Sequence, residues 1–112
     1  MHEYSLVRAL ADRVEAEARA RQAVAVHRLT VAIGSLSGVE PRLFETAFTL
    51  CREGVLADAE LEIRRVEAAW SCPGCGREIA SGGVLRCARC GEVARLSSGD
   101  ELVLERIEME VP

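Results

Sequence analysis

The 112-residue chain has no lysine, one tryptophan, one tyrosine, two phenylalanines and two histidines. Each scarcity excludes something. Aromatics make up 4% of residues, too few for the stacking surfaces on which single-stranded nucleic acids lie. Against 18 acidic residues stand 14 arginines, so the formal net charge is −4, and the clustered positive charge that phosphate contacts need is missing too. No run approaches the ~18 apolar residues of a membrane span. The opening Met1-His2-Glu3-Tyr4 lacks the basic-then-apolar layout of a secretion signal, so the expected compartment is the cytoplasm. No Ser/His/Asp set, phosphate loop or catalytic carboxylate pair stands out, and no enzyme activity is expected.

What is present suits one small globular unit: 49% hydrophobic and 29% charged residues argue against a disordered chain. Burial at this length is only moderately efficient, which makes a metal or a partner a natural supplement. The charge is unevenly placed. Residues 1–67 carry −2, residues 68–97 carry +2, and residues 98–112 carry −4.

Residues 5–22 read as an amphipathic helix, with Leu6, Leu10, Val14 and Ala18 at helical spacing and Val7 and Ala11 beside them. Residues 24–33 alternate as a strand, Leu29, Val31 and Ile33 against Arg28, Thr30 and Ala32. His27 shares the parity of Leu29, which predicts a half-buried strand position. A turn-rich loop from Gly34 leads to Pro41, a residue suited to a first helical turn. The helix it opens runs to about Glu53, with Leu43, Phe44, Ala47, Phe48, Leu50 and Cys51 as its inner face and Gly54 as its stop. Residues 60–66 form a second strand with Leu61 and Ile63 inward. A last strand spans about 101–111, and a change of parity near Glu105-Arg106 predicts a bulge. The fold expected is α+β: a three-stranded sheet with two helices on one face, and an inserted small four-cysteine zinc-ribbon-like domain. The body would comprise residues 1–68 and 98–112, the insertion residues 69–97.

Four of the five cysteines form two knuckles, Cys72-Pro73-Gly74-Cys75-Gly76 and Cys87-Ala88-Arg89-Cys90-Gly91. Two close C-x-x-C pairs in a cytosolic chain read as a metal site rather than as disulfides. Four thiolates suit tetrahedral Zn²⁺, and a filled shell leaves no open position for catalysis. The glycine after each second cysteine is expected to permit close backbone approach. An iron site or a redox dithiol pair is the alternative, although thioredoxin-type chemistry wants a βαβ setting. Cys51 is expected to be a packed core thiol. The acids of the last strand read as a solvated face.

At the N-terminus, His is a bulky second residue, so Met1 is expected to be retained. A free amine, the amide nitrogens of His2 and Glu3, and the His2 imidazole then lie close enough to close small chelate rings around one cation. Deprotonated amides are strong-field donors that favour square-planar Ni²⁺ or Cu²⁺. Any subset of these nitrogens can serve.

Taken in order, Met1-His2-Glu3, Ile33-Gly34-Ser35-Leu36-Ser37-Gly38-Val39-Glu40-Pro41, Ala47-Phe48, Glu60-Leu61-Glu62-Ile63, the two knuckles, Glu101-Leu102 and Ile107-Glu108 closely resemble the HypA/HybF family of hydrogenase-maturation nickel chaperones, over essentially the whole chain. The resemblance implies a nickel-binding α+β domain in which His2 is the essential ligand and Met1 and Glu3 contribute backbone nitrogen. It implies a structural zinc held by Cys72, Cys75, Cys87 and Cys90. It also implies delivery of Ni²⁺ to the large subunit of [NiFe]-hydrogenase with a HypB-type GTPase, and in some members a link to urease accessory proteins. Three features depart from the pattern: Val55 follows Gly54, the stretch between knuckles is short, and residues 70–97 contain no His. The rival readings are a zinc-ribbon nucleic-acid-binding or transcription accessory module, and a thiol oxidoreductase.

Overall fold

The computed structural model describes residues 2–112. Helix α1 spans His2–Ala20, strand β1 Ala25–Gly34, helix α2 Pro41–Cys51 and strand β2 Glu60–Val66. Short strands β3 Ala69–Ser71, β4 Glu78–Ile79 and β5 Arg95–Ser98 follow, and β6, Leu102–Glu110, closes the chain. The strands make two sheets. In the first the order is β2-β1-β6, with β1 parallel to β2 and antiparallel to β6; in the second it is β4-β3-β5, all antiparallel. This is the α+β architecture with an inserted ribbon that the pattern predicts.

The main core lies between the first sheet and the two helices. Val7, Ala11, Val14 and Ala18 form the buried stripe of α1, and Phe44, Ala47, Phe48 and Cys51 that of α2. They pack on Val26, Leu29, Val31 and Ile33 of β1. Burying each such aliphatic or aromatic side chain is worth about 1.5–3 kcal/mol, so this core carries the body. Leu43 and Leu50 do not belong to it: they are 55% and 73% exposed. The apolar stripe of α2 is narrower than hydrophobicity alone suggests, because Phe44 and Phe48 already fill the space over the sheet. Leu6 and Leu10 are half-buried at the margin of the same core.

Two bulges decide which side chains face out. Glu105 is the extra residue where Thr30 and Val31 pair with Arg106 and Leu104, which matches the predicted parity change. The bulge aims Glu105 at Arg64, which donates two hydrogen bonds to its carboxylate at 2.9 and 2.7 Å. That bridge ties β2 to β6 across the central strand. The other bulge is at His27, where Val26 and Arg28 pair with Met109 and Glu108. The expected half-buried His27 is therefore corrected. Its side chain is 60% exposed, with Nε2 3.1 Å from Glu110 Oε1. The extra residue puts Val26 and Leu29 on the same inner side and turns His27 outward.

Helix α1 begins at His2, three residues before the expected start, and α2 stops at Cys51. Glu40 caps α2, its carboxylate accepting the Leu43 N–H at 2.8 Å, and Pro41 takes the first-turn position. Where the body meets the insertion, three backbone segments touch. The N–H groups of Gly34, Ser35 and Leu36 donate to the carbonyls of Glu101, Val66 and Gly99 at 2.8, 2.9 and 2.7 Å. A Cβ at Gly34 would overlap the Gly99 carbonyl, and one at Gly99 would meet the Ala68 backbone. Glycine at these crossing points is required by space.

Candidate metal centres

Each knuckle is built the same way. The N–H of Gly76 donates to the carbonyl of Cys72, and that of Gly91 to Cys87, both at 2.8 Å. Cys72 and Cys87 in turn donate to the carbonyls of Arg77 and Glu92 at 2.8 and 2.9 Å. Gly76 and Gly91 have φ of +75° and +72°, and nothing lies within 4 Å of where their Cβ atoms would be. Glycine is needed there for its left-handed backbone and not for the close approach expected from the motif.

The two knuckles bring Cys72, Cys75, Cys87 and Cys90 together, with all four sulfur atoms within 4.8 Å of one another. Cys75 Sγ and Cys87 Sγ are 3.9 Å apart, close to the ~3.8 Å edge of a tetrahedron of ~2.3 Å zinc–sulfur bonds. The N–H of Gly74 donates to Cys72 Sγ at 3.3 Å and that of Cys90 to Cys87 Sγ at 3.4 Å. These donors stabilise thiolate charge and orient the sulfurs. The Cys90 and Arg89 N–H groups bring the Cys87 thiol down to about 7. The Cys75 thiol beside it, then burial, push Cys90 up to about 12. Four crowded sulfurs cannot all ionise against one another, whereas a dication at their centre makes that charge favourable. The donor set thus fits Zn²⁺ or another thiophilic divalent ion. Cys72 and Cys87 are buried, Cys75 and Cys90 exposed. Ile79 is the one other buried side chain of this cluster, with Trp70 and Ala94 packed against it. Val84 and Val93 are 81% and 60% exposed and add little apolar support.

The N-terminal tripeptide presents a different arrangement. Met1 lies outside the described residues. His2 opens α1 with its imidazole 63% exposed, and its Nδ1 is 4.0 Å from Glu3 Oε2. The Glu3 side chain is only 13% exposed, and the same oxygen accepts the Glu40 N–H at 3.2 Å. That bond, with the N–H of Glu3 itself and the nearby His2, holds the Glu3 carboxyl below the usual carboxylate range. Among the described residues the cysteine group is the one cluster of three or more His, Cys, Asp or Glu whose ligand atoms converge. A cation at the terminus would thus rely on backbone nitrogen as well as the imidazole. Glu40 is the further residue that the fold brings to this end of the molecule. Its place before Pro41 signals a helix cap, but nothing along the chain signals its contact with Glu3.

The site and fold define a small α+β metal-handling protein carrying a four-cysteine ribbon. A family model described as hydrogenase/urease nickel incorporation, metallochaperone, hypA matches residues 1–109. Hydrogenase maturation factor HypA of Aquifex aeolicus is 38% identical over 114 residues, covering 99% of both chains. Its counterpart in Shewanella oneidensis is 36% identical, covering 98% of this chain and 96% of that one. The solution structure of the Ni metallochaperone HypA from Helicobacter pylori superposes with a TM-score of 0.71 at 29% identity, covering 98% of each chain. A second HypA solution structure gives 0.81 at 31% identity, over all of this chain and 98% of that one. The chain belongs to the HypA family of nickel-incorporating maturation factors, which are metallochaperones and not enzymes. No helix among the described residues is long and apolar enough to cross a membrane.

Proposed function

We propose that this chain takes up Ni²⁺ at its N-terminus and delivers it for [NiFe]-hydrogenase maturation, with urease as a second destination. The His2 imidazole is the essential ligand, and backbone nitrogens of Met1, His2 and Glu3 complete the set. Cys72, Cys75, Cys87 and Cys90 hold a structural Zn²⁺. Residues 1–68 and 98–112 act as the nickel-binding body, and residues 69–97 as the zinc-binding module. A HypB-type GTPase and the hydrogenase large subunit are the partners on the delivery route, and the cytoplasm is where it runs.

The observation that carries this reading is the placement of His2 in the first turn of α1, with an exposed ring. The first four N–H groups of a helix have no acceptor within it. An amide of His2 or Glu3 can therefore lose its proton to a metal without breaking a helical hydrogen bond. The positive end of the helix dipole favours the amidate so formed. The side-chain ligand also stands in solvent, where a receiving site can approach it. Tight holding would need enclosure; a cargo ion needs an open side.

The test is metal analysis and nickel titration of untagged protein beside its His2→Ala variant. Zinc at one equivalent should persist in both, while specific nickel binding should be lost from the variant alone. Equal nickel uptake by the two would refute the terminal site. The nucleic-acid reading has no comparable support, since the net charge of −4 opposes it.

A further inference from the structure

We propose that Glu40 is a positioning residue for the nickel site: its backbone N–H holds the Glu3 carboxylate beside the His2 imidazole. This rests on the terminal-site reading above.

Two bonds fix Glu40 itself, and a third steadies the residue before it. Its carboxylate accepts the Leu43 N–H at 2.8 Å, and its carbonyl accepts the Phe44 N–H at 3.0 Å. One residue upstream, the Val39 N–H is held by Ser37 Oγ at 3.2 Å. The Glu40 N–H is thus a donor mounted on the start of α2, and α2 is anchored in the core through the buried Phe44 and Phe48. The oxygen it holds, Glu3 Oε2, is 3.2 Å from the Glu40 nitrogen and 4.0 Å from His2 Nδ1. The bond does two things. It keeps a negative oxygen next to the nitrogen that would bind the dication, and it pins α1 at Glu3. Any uncoiling of the terminus around a metal then stops at the third residue. Successive N–H bonds of a helix run parallel to its axis, so the His2 amide ahead of Glu3 must turn to converge on the ion with its neighbours. A fixed Glu3 gives that turn a firm base. A Glu3 without the Glu40 contact would swing into solvent, and its charge would then be screened.

The donor can be removed without touching Glu3. Glu40 has φ −89° and an extended ψ, near the range that proline allows. Glu40→Pro deletes the N–H and the side-chain cap; Glu40→Ala deletes the cap and keeps the N–H. Nickel affinity is measured by competition with a chromophoric chelator, on untagged protein. Glu40→Pro should bind nickel about three- to tenfold more weakly than wild type, the size of a partly exposed charge-assisted hydrogen bond, while Glu40→Ala should stay within about twofold. Equal affinities for the two, or tighter binding by Glu40→Pro, would overturn the proposal. A second measurement needs neither nickel nor that proline. In the zinc-loaded, nickel-free protein, Glu3→Ala should move the Glu40 amide proton signal upfield and leave the rest of α2 in place. An unmoved signal also refutes it. The terminal site itself is judged in a separate arm. If His2→Ala binds nickel like wild type, both ideas fall. If nickel binding needs His2 but the two Glu40 variants agree, only the role of Glu40 does.

Discussion

Substituting Cys72 by Ala should unfold the ribbon and spare the body. The magnitude follows from what each part buries. Apart from the cysteines, the ribbon's cluster has one buried side chain, Ile79, backed by half-buried Trp70 and by Ala94. That is about 1.5–3 kcal/mol for Ile79 and less for each of the others. Zinc bound to small Cys/His sites supplies an apparent ~10–16 kcal/mol, so a bound zinc would dominate and its loss could not be absorbed. Both helices lie outside the ribbon, 19 residues in α1 and 11 in α2. Their core is formed by residues before Glu60 together with partly buried side chains of β2 and β6. The far-UV helical signal of Cys72→Ala should therefore remain close to wild type, and amide signals from residues 69–97 should collapse toward random-coil positions. Zinc content should fall to near zero, and a strong chelator should produce the same spectrum from wild type. Loss of helical signal along with the ribbon would show that the two parts fold as one unit and would refute this partition of stability.

Two further predictions rest on other features. Gly34→Ala should lower the melting temperature markedly and perturb amide signals on both sides of the junction, because its Cβ has no room beside the Gly99 carbonyl; a variant as stable as wild type would mean that this crossing is loose in solution. Nickel affinity should weaken as pH falls from about 8 to 6, since imidazole, amine and amide nitrogens bind a metal only when deprotonated; a flat profile would exclude them as the ligand set. Over that range the Glu3 carboxylate, already held below the usual carboxylate values, stays charged and contributes no slope.

Much of this architecture is legible in the sequence, and the failures have definite causes. Period-two alternation found β1, β2 and β6 because one face of their sheet is buried, and the paired knuckles found the sulfur cluster because its ligands are local in the chain. The Glu105 bulge was readable, since apolar residues on both sides of it change parity. The His27 bulge was not, because the residues that would betray it, Val24 to Val26, are too few to set a parity of their own. Leu43 and Leu50 were misplaced for a different reason: α2 has more apolar residues than the space over three strands can take. The Glu3–Glu40 contact joins residues 37 positions apart through a backbone donor, and backbone donors leave no trace in residue identity.

The two proposed metal sites divide along a chemical line that the fold makes physical. A site meant to keep its ion surrounds it with side chains drawn from two rigid turns, orders them with N–H donors, and buries half the ligands; the cysteine cluster has each of these features. A site meant to surrender its ion does the reverse. At the terminus a single exposed ring would be joined by backbone nitrogen that becomes a ligand only on losing a proton, so returning those protons undoes the site. Release then needs no unfolding of the core. It needs a competing ligand set and a proton source at the open end of α1, both of which a receiving protein can bring to an exposed imidazole. The same reasoning explains why the terminus starts within a helix. A free tripeptide would wrap its ion with nothing opposing it, whereas a terminus whose His2 lies in α1 would give up helical geometry at that residue to close around the metal. That cost would moderate affinity, and the helix would re-form once the ion had left.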